Sequence, residues 1–242
     1  VPILKTDFHL HTLDDPYDHH VYHTVFELLD KAAALGYGAL AITLHNAQFE
    51  SREATGYAAE RGILLLPGVE RDIEGSHVLL INYPKAVIEG IRTFADLRKA
   101  KRPEGLVIAA HPFFPGGVSL RDDLVRHRDC FDAVEISGFY HRLWNPNRKG
   151  RDAARRLGLP LVGNSDTHTL EQFGTTWSEV DCEHTPEAVV QAVREGRVAV
   201  RGRALEAAEM GVIAYKVVAR GYMKWINYKQ VRGYKPVASP MP

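Results

Sequence analysis

The chain has 242 residues, 45% hydrophobic and 25% charged, with thirty basic and thirty acidic side chains and no formal net charge. That is an ordinary globular composition, long enough to bury a core, and its balance excludes a protein built mainly to coat nucleic acid or an anionic membrane. Cys130 and Cys182 are too few for a disulfide framework, and the longest apolar run, ILLLPGV at 63–69, is interrupted by Pro67 and too short to span a bilayer. The opening VPILK lacks the length and charge pattern of a signal peptide, so a cytoplasmic chain is expected.

The first predicted strand runs from Ile3 to Phe8 and ends in TDFHLHT. Side chains two apart on a strand share a face, so Asp7, His9 and His11 are expected to emerge together. Thr24 and Glu27 form a capping box that opens a helix over 25–35, ended by Gly36; His23, just before it, reads as a surface residue. An apolar strand at 39–43 and a polar helix near 50–61 follow, then strands at 62–70 and 77–83. A helix over 86–100 leads to LVIAAHP (106–112), the continuous apolar run of a strand buried on both faces. The pattern then repeats: helix 119–128, strand 131–137, helix 147–157, strand 159–166. Thr185 and Pro186 start a further helix, and RVAVRG closes the series.

Short strands separated mostly by helices indicate one α/β barrel rather than two domains, with its chemistry at the C-terminal strand ends. Those ends hold a pattern. Strand one delivers His9 and His11, strand two His45, strand three Glu70, and the next strand starts at His77. His111 and Glu135 follow, and GNSDTH supplies Asp166 and His168 two apart. Imidazoles and carboxylates gathered at one rim are costly to bury unpaired, and divalent cations relieve that cost. A multinuclear metal site is therefore expected. Its nitrogen and oxygen donors, with no thiolate, suit Zn, Mn or Fe.

The pieces DFHLH, AITLHN, PGVE, SHVLLIN, AAHPF, VEIS and GNSDTH, in that order over residues 7–168, resemble the PHP (polymerase and histidinol phosphatase) family of metal-dependent phosphoesterases. The resemblance implies a distorted (β/α)7, TIM-like barrel with two or three divalent ions. It implies that His9 and His11 share one ion with Glu70 and Asp166, and that Glu70 bridges to a second ion held by His77 and His111. A third would be held by His45, His168 and a residue of the loop after His11, where His20 is favoured and His19, Asp18 and Asp15 are alternatives. Asp7 reads as a support that orients a ligand histidine. The chain departs from the family's usual TDHN at Leu44, which cannot accept a hydrogen bond.

The expected activity is hydrolysis of a phosphomonoester by metal-bound hydroxide, with Arg71 and Arg142 as candidates to bind the phosphate of a small-molecule substrate. A phosphodiesterase or nuclease is the alternative. From Lys216 to Lys235 the chain carries six basic residues, no acid, and interleaved Tyr222, Trp225, Tyr228 and Tyr234, a composition able to grip single strands. A helix packing Val218 and Trp225 on the barrel, with its lysines in water, is the favoured account of that stretch. A non-catalytic PHP module is the third reading. Residues 1–203 are expected to form the barrel, with 204–242 a helix and basic tail on the same domain.

Overall fold

A computed structural model describes residues 2–18 and 20–222. Nine strands form one sheet in the order β7-β6-β5-β4-β3-β2-β1-β8-β9. They are β1 (Ile3–Leu10), β2 (Ala39–Ile42), β3 (Leu64–Ile73), β4 (Ser76–Ile81), β5 (Leu106–Ala109), β6 (Ala133–Ser137), β7 (Leu161–Asn164), β8 (Thr176–Asp181) and β9 (Val198–Gly202). The pairs β1–β2, β2–β3, β5–β6 and β6–β7 are parallel. The barrel is distorted because β4 runs antiparallel between β3 and β5, and β8 and β9 are antiparallel as well. A two-residue turn, Glu74 and Gly75, both at positive φ, joins β3 to β4.

Period-two alternation sorts the apolar residues into layers. Phe8, Ala41, Leu66, Leu79, Ile108 and Val162 face inward, and the barrel floor is filled by Val189, Val190 and Val193 of α7 (Pro186–Arg194). Their neighbours Val69, Val78, Val107 and Val134 face outward beneath α4 (Phe94–Ala100) and α6 (Asn147–Leu157). On the other flank Leu10, Leu40 and Ile42 pack against α1 (Val25–Ala34) and α2 (Arg52–Ala59). The capping box on α1 is formed as the sequence predicts. The helix expected over 86–100 is two pieces: α3 (Lys85–Glu89) stops at Gly90, and Thr93 with Asp96 caps α4 anew. That over 119–128 shrinks to α5 (Asp123–Arg126) plus a short 3₁₀ turn.

Strand β8 was not expected, and it nearly closes the barrel. Ser178 Oγ accepts from Gly163 N at 2.9 Å and donates to Gly163 O at 3.0 Å, tying β8 to β7. A Cβ on Gly163 would lie 2.5 Å from Trp177 O and 2.9 Å from Val200 Cγ1, so only glycine permits this approach. The chain continues past β9 into α8 (Ala207–Tyr222), with Leu205 and Ile213 buried. Trp225 and most of the basic aromatic stretch lie outside the described residues. Among the described residues no helix is long and apolar enough to cross a membrane.

Gly163→Ala is expected to cost about 1–3 kcal/mol, the range for forced overpacking, because the obstructing atom is backbone. Urea unfolding compared with Gly117→Ala tests this, since a Cβ at Gly117 meets open space and neither glycine has a positive φ. A loss at Gly163 no larger than at Gly117 would show that the seam does not constrain closure.

Candidate metal centre

The rim residues converge on one side chain. Glu70, 1% exposed, lies 3.3 Å from His9 Nε2, 3.5 Å from His11 Nε2, 2.9 Å from His45 Nε2, 2.7 Å from His77 Nδ1 and 3.1 Å from His111 Nε2. Asp166 Oδ1 stands 3.4 Å from His9 Nε2, 3.7 Å from His11 Nε2 and 3.5 Å from His168 Nδ1. The local folds that aim them differ. Glu70 sits in the outer half of the long β3, and the antiparallel β4 returns His77 to the same end of the barrel. His111 and Asp166 hold φ of 26° and 53°, a backbone strain concentrated at the rim.

Behind the rings stands a second set of acceptors. Glu135 Oε1 receives His9 Nδ1 at 2.9 Å, and Glu135 Oε2 receives the His111 backbone N–H at 2.6 Å. Asn164 holds this carboxylate by donating from Nδ2 to Oε1 at 2.8 Å. Asp15 Oδ2 meets His11 Nδ1 at 2.9 Å and His45 Nδ1 at 3.0 Å. The orienting contact that Leu44 cannot make to His45 thus comes from Asp15, and Leu44 itself is fully buried in the α1–α2 core.

The sequence places some residues differently from the structure. Register shifts between Asp7 and Leu10, and this irregularity in β1 breaks the simple alternation. Asp7 consequently touches no imidazole: it accepts from the backbone N–H groups of His9 and Ser165 and from Ser165 Oγ, tying β1 to the loop after β7. Asp7 thus supports His9 through its backbone, while Glu135 accepts from its ring. Arg71 alternates away from Glu70, its guanidinium donating to Ile91 O and Asn46 Oδ1, which removes it from the phosphate role. Arg142 is exposed on the loop after β6. His23 is buried, not on the surface, and its Nε2 donates to His11 O at 2.8 Å.

In the loop after His11, Asp18 lies 2.8 Å from His168 Nε2 and 3.5 Å from His45 Nδ1. His20 stacks on His168 from outside, with centroids 5.2 Å apart and planes 7° from parallel, and its Nε2 is 3.9 Å from Asp18. His19 lies outside the described residues. Gln172 is the residue that sequence reasoning missed entirely. Its Oε1 accepts from His168 N and Thr169 N, and its Nε2 donates to Asp166 O, bracing the GNSDTH turn.

The donor set fits divalent cations. His9 Nε2 and His11 Nε2 are buried without a hydrogen-bond partner, though both are directed at carboxylate oxygens. Buried orphan nitrogens of this kind are rare unless another group is to be bound. Donor atoms of His9, His11 and Glu70, of His11, Asp166 and His168, and of Asp18, His20 and His168 each lie within 4.8 Å of one another. In the metal-free protein protons take the cations' place. Burial opposes a charge on His45, but Glu70 and Asp15 outweigh it and raise the ring to about 11. Burial likewise opposes a charge on His168, which Asp18 and Asp166 lift to about 9. Burial resists ionisation of Asp166, yet the surrounding rings, His9 first, bring it down to about 2.

A family model described as PHP-associated matches residues 144–198, from the loop before α6 into the start of β9. Among solved structures, PsfC from Pseudomonas syringae PB-5123 is similar at a TM-score of 0.60 and 19% identity, over 92% of this chain and all of that one. An amidohydrolase from Chromobacterium violaceum with bound sulfate and no metal is similar at a TM-score of 0.53 and 18% identity, over 80% of this chain and 97% of that one. At such identities the likeness is one of fold. The curated proteins contain no match.

Glu135→Gln is expected to weaken metal binding about 10–100-fold, the usual cost of losing an acceptor behind a ligand histidine. Metal titration of the chelator-treated protein measures this, and an unchanged affinity would remove Glu135 from the site's support. His23 offers a pH test of the loop. Burial holds its folded pKa down to about 4, against the hydrogen bond to His11 O, while the unfolded ring titrates near 6.5. Below pH 6.5 the unfolded chain gains a proton that the folded chain refuses, so His23 lowers stability progressively toward pH 4 by roughly 2–4 kcal/mol. In metal-free urea unfolding, His23→Gln should flatten the slope between pH 6.5 and 4; parallel slopes would refute this.

Proposed function

We propose that this chain is a PHP-type metal-dependent hydrolase acting on phosphate monoesters of small molecules, a reading supported by the PHP-associated match over residues 144–198. The observation that carries this reading is the single Glu70 carboxylate faced by five imidazoles beside Asp166. His9, His11, Glu70 and Asp166 would hold one ion, His77 and His111 with Glu70 a second, and His45, His168 and Asp18 or His20 a third. Divalent ions bound there would supply the positive charge that phosphoryl oxygens need and make a water more acidic.

The chain's own residues prepare that environment. Glu70, Asp166, Asp15, Asp18 and Glu135 crowd one rim, so without cations a phosphate would be repelled by the protein's own carboxylates. Glu135 and Asp15 accept from the Nδ1 atoms of His9 and His11 and leave the Nε2 atoms directed at the centre. Those contacts fix the tautomer of each ring and keep it neutral toward a cation. Asp166 and His168, about one-fifth exposed at the side chain, form the solvent side of the centre, where an ester would enter. Arg142, exposed beyond β6, remains the candidate cation from the sequence for the phosphate.

The protein loaded with Mn²⁺ or Zn²⁺ should hydrolyse an aryl phosphate, lose activity with chelator and regain it on metal addition. Asp166→Asn should lower kcat/KM by at least about a hundredfold, as expected when a group of a metal centre is removed. Running a bis(aryl) phosphate and a short oligonucleotide in parallel separates monoesterase from diesterase action. No turnover in any arm at full metal loading would overturn the hydrolase reading.

A further inference from the structure

The loops 112–122 and 143–149, which follow β5 and β6, meet in a cleft of about 720 Å³ beside the metal centre. Phe114 is the shared wall: its ring packs edge-on at 6.3 Å from that of His111 and at 5.8 Å from that of Trp144. Phe139 braces the indole from behind at 6.1 Å, and the His141–Trp144 bridge fixes its backbone. Trp144 is 38% exposed and Leu143 92% exposed, a large apolar surface left open beside a polar centre. Three cations also line the cleft, Arg121, Arg148 and Lys149, against one acid, Asp122. Arg121 is occupied in part by Gly116 O. Among the described residues, neither Arg148 nor Lys149 enters an ion pair that would neutralise it.

We propose that this cleft receives the leaving group of the substrate and selects a flat ring that carries a second anionic group. The inference rests on the hydrolase reading for the word "leaving group" but not for the binding preference. The Phe114–Trp144 surface offers ring faces and edges for stacking. Arg148 and Lys149, on the first turn of α6, supply charge to an anion at the far end of that ring. A short aliphatic phosphate would reach the metal centre and leave both features unused.

Binding tests the cleft without turnover. The metal-loaded protein is titrated calorimetrically with methylphosphonate, phenylphosphonate and para-carboxyphenylphosphonate, none of which can be hydrolysed as an ester. Each added feature should tighten binding about fivefold or more, the scale of one stacked ring or one charge-assisted contact. Trp144→Ala should abolish the phenyl-over-methyl step, while Trp144→Phe retains most of it. The double variant Arg148→Ala/Lys149→Ala should abolish the carboxylate step alone. Affinities within twofold across the three probes, or unchanged steps in the variants, would overturn the inference. Turnover of aryl phosphates without such steps sinks the cleft and leaves the hydrolase; the steps without turnover of any ester keep the cleft and sink the hydrolase.

Discussion

A carboxylate buried at 1% exposure among five imidazoles sets the terms for the rest of this structure. Burying Glu70 as an anion is expensive, and burying the rings as cations is expensive too. The arrangement is tolerable only if positive charge is supplied at the centre, by protons in the metal-free protein or by divalent ions. Protons are the poorer answer, because they must be shared among rings that repel one another. Burial first, then His168 and His45, drives His11 down to about 4 while His45 is raised to about 11. Ions that accept several nitrogens at once satisfy all of the rings together.

That requirement explains irregularities that a plain barrel would not need. The antiparallel β4 exists where a helix and a parallel strand would otherwise come, and it lets His77 approach Glu70 from the neighbouring strand. The irregular register of β1 lets Phe8 fill the interior while His9 and His11 reach the rim above it. Positive φ at His111 and Asp166 is backbone strain held in place by bonds on either side. Glu135 grips the His111 N–H, and Gln172 grips the Asp166 carbonyl. Precision at the centre is thus maintained by polar groups that hold the backbone of its residues.

Much of this was legible in the sequence, and the gaps have physical reasons. Strand ends rich in His and acid mark the rim because parallel strands all end on one side, so His9, His45, Glu70, His111 and Asp166 could be gathered before any coordinates. The bulge could not be seen, and with it the way Asp7 supports His9, through the backbone N–H rather than the ring: period-two reasoning holds only while the register does. Arg71 was misplaced for the opposite reason, since alternation beside Glu70 already directs it to the other face. Strand β8 hides because TWSEVD alternates modestly and is anchored by contacts with Gly163, far away in sequence. In the loop DDPYDHH nothing local shows that Asp18 and His20 both come to lie against His168; only the fold brings them there.

The same contrast separates the chemistry from its selectivity. The reacting centre is built from strand ends, whose spacing the fold enforces, and such residues carry a pattern that can be read. The cleft is built from two loops whose residues meet only because β5 and β6 are neighbours and their following segments lean together. Phe114 belongs to both: its backbone N–H bonds to His111 O, and its ring is the wall against Trp144. Changes in the loops beyond Phe114 can therefore alter which group is held beside the centre without disturbing the carboxylate that organises it. A fold arranged in this way can keep one chemistry while its substrate changes.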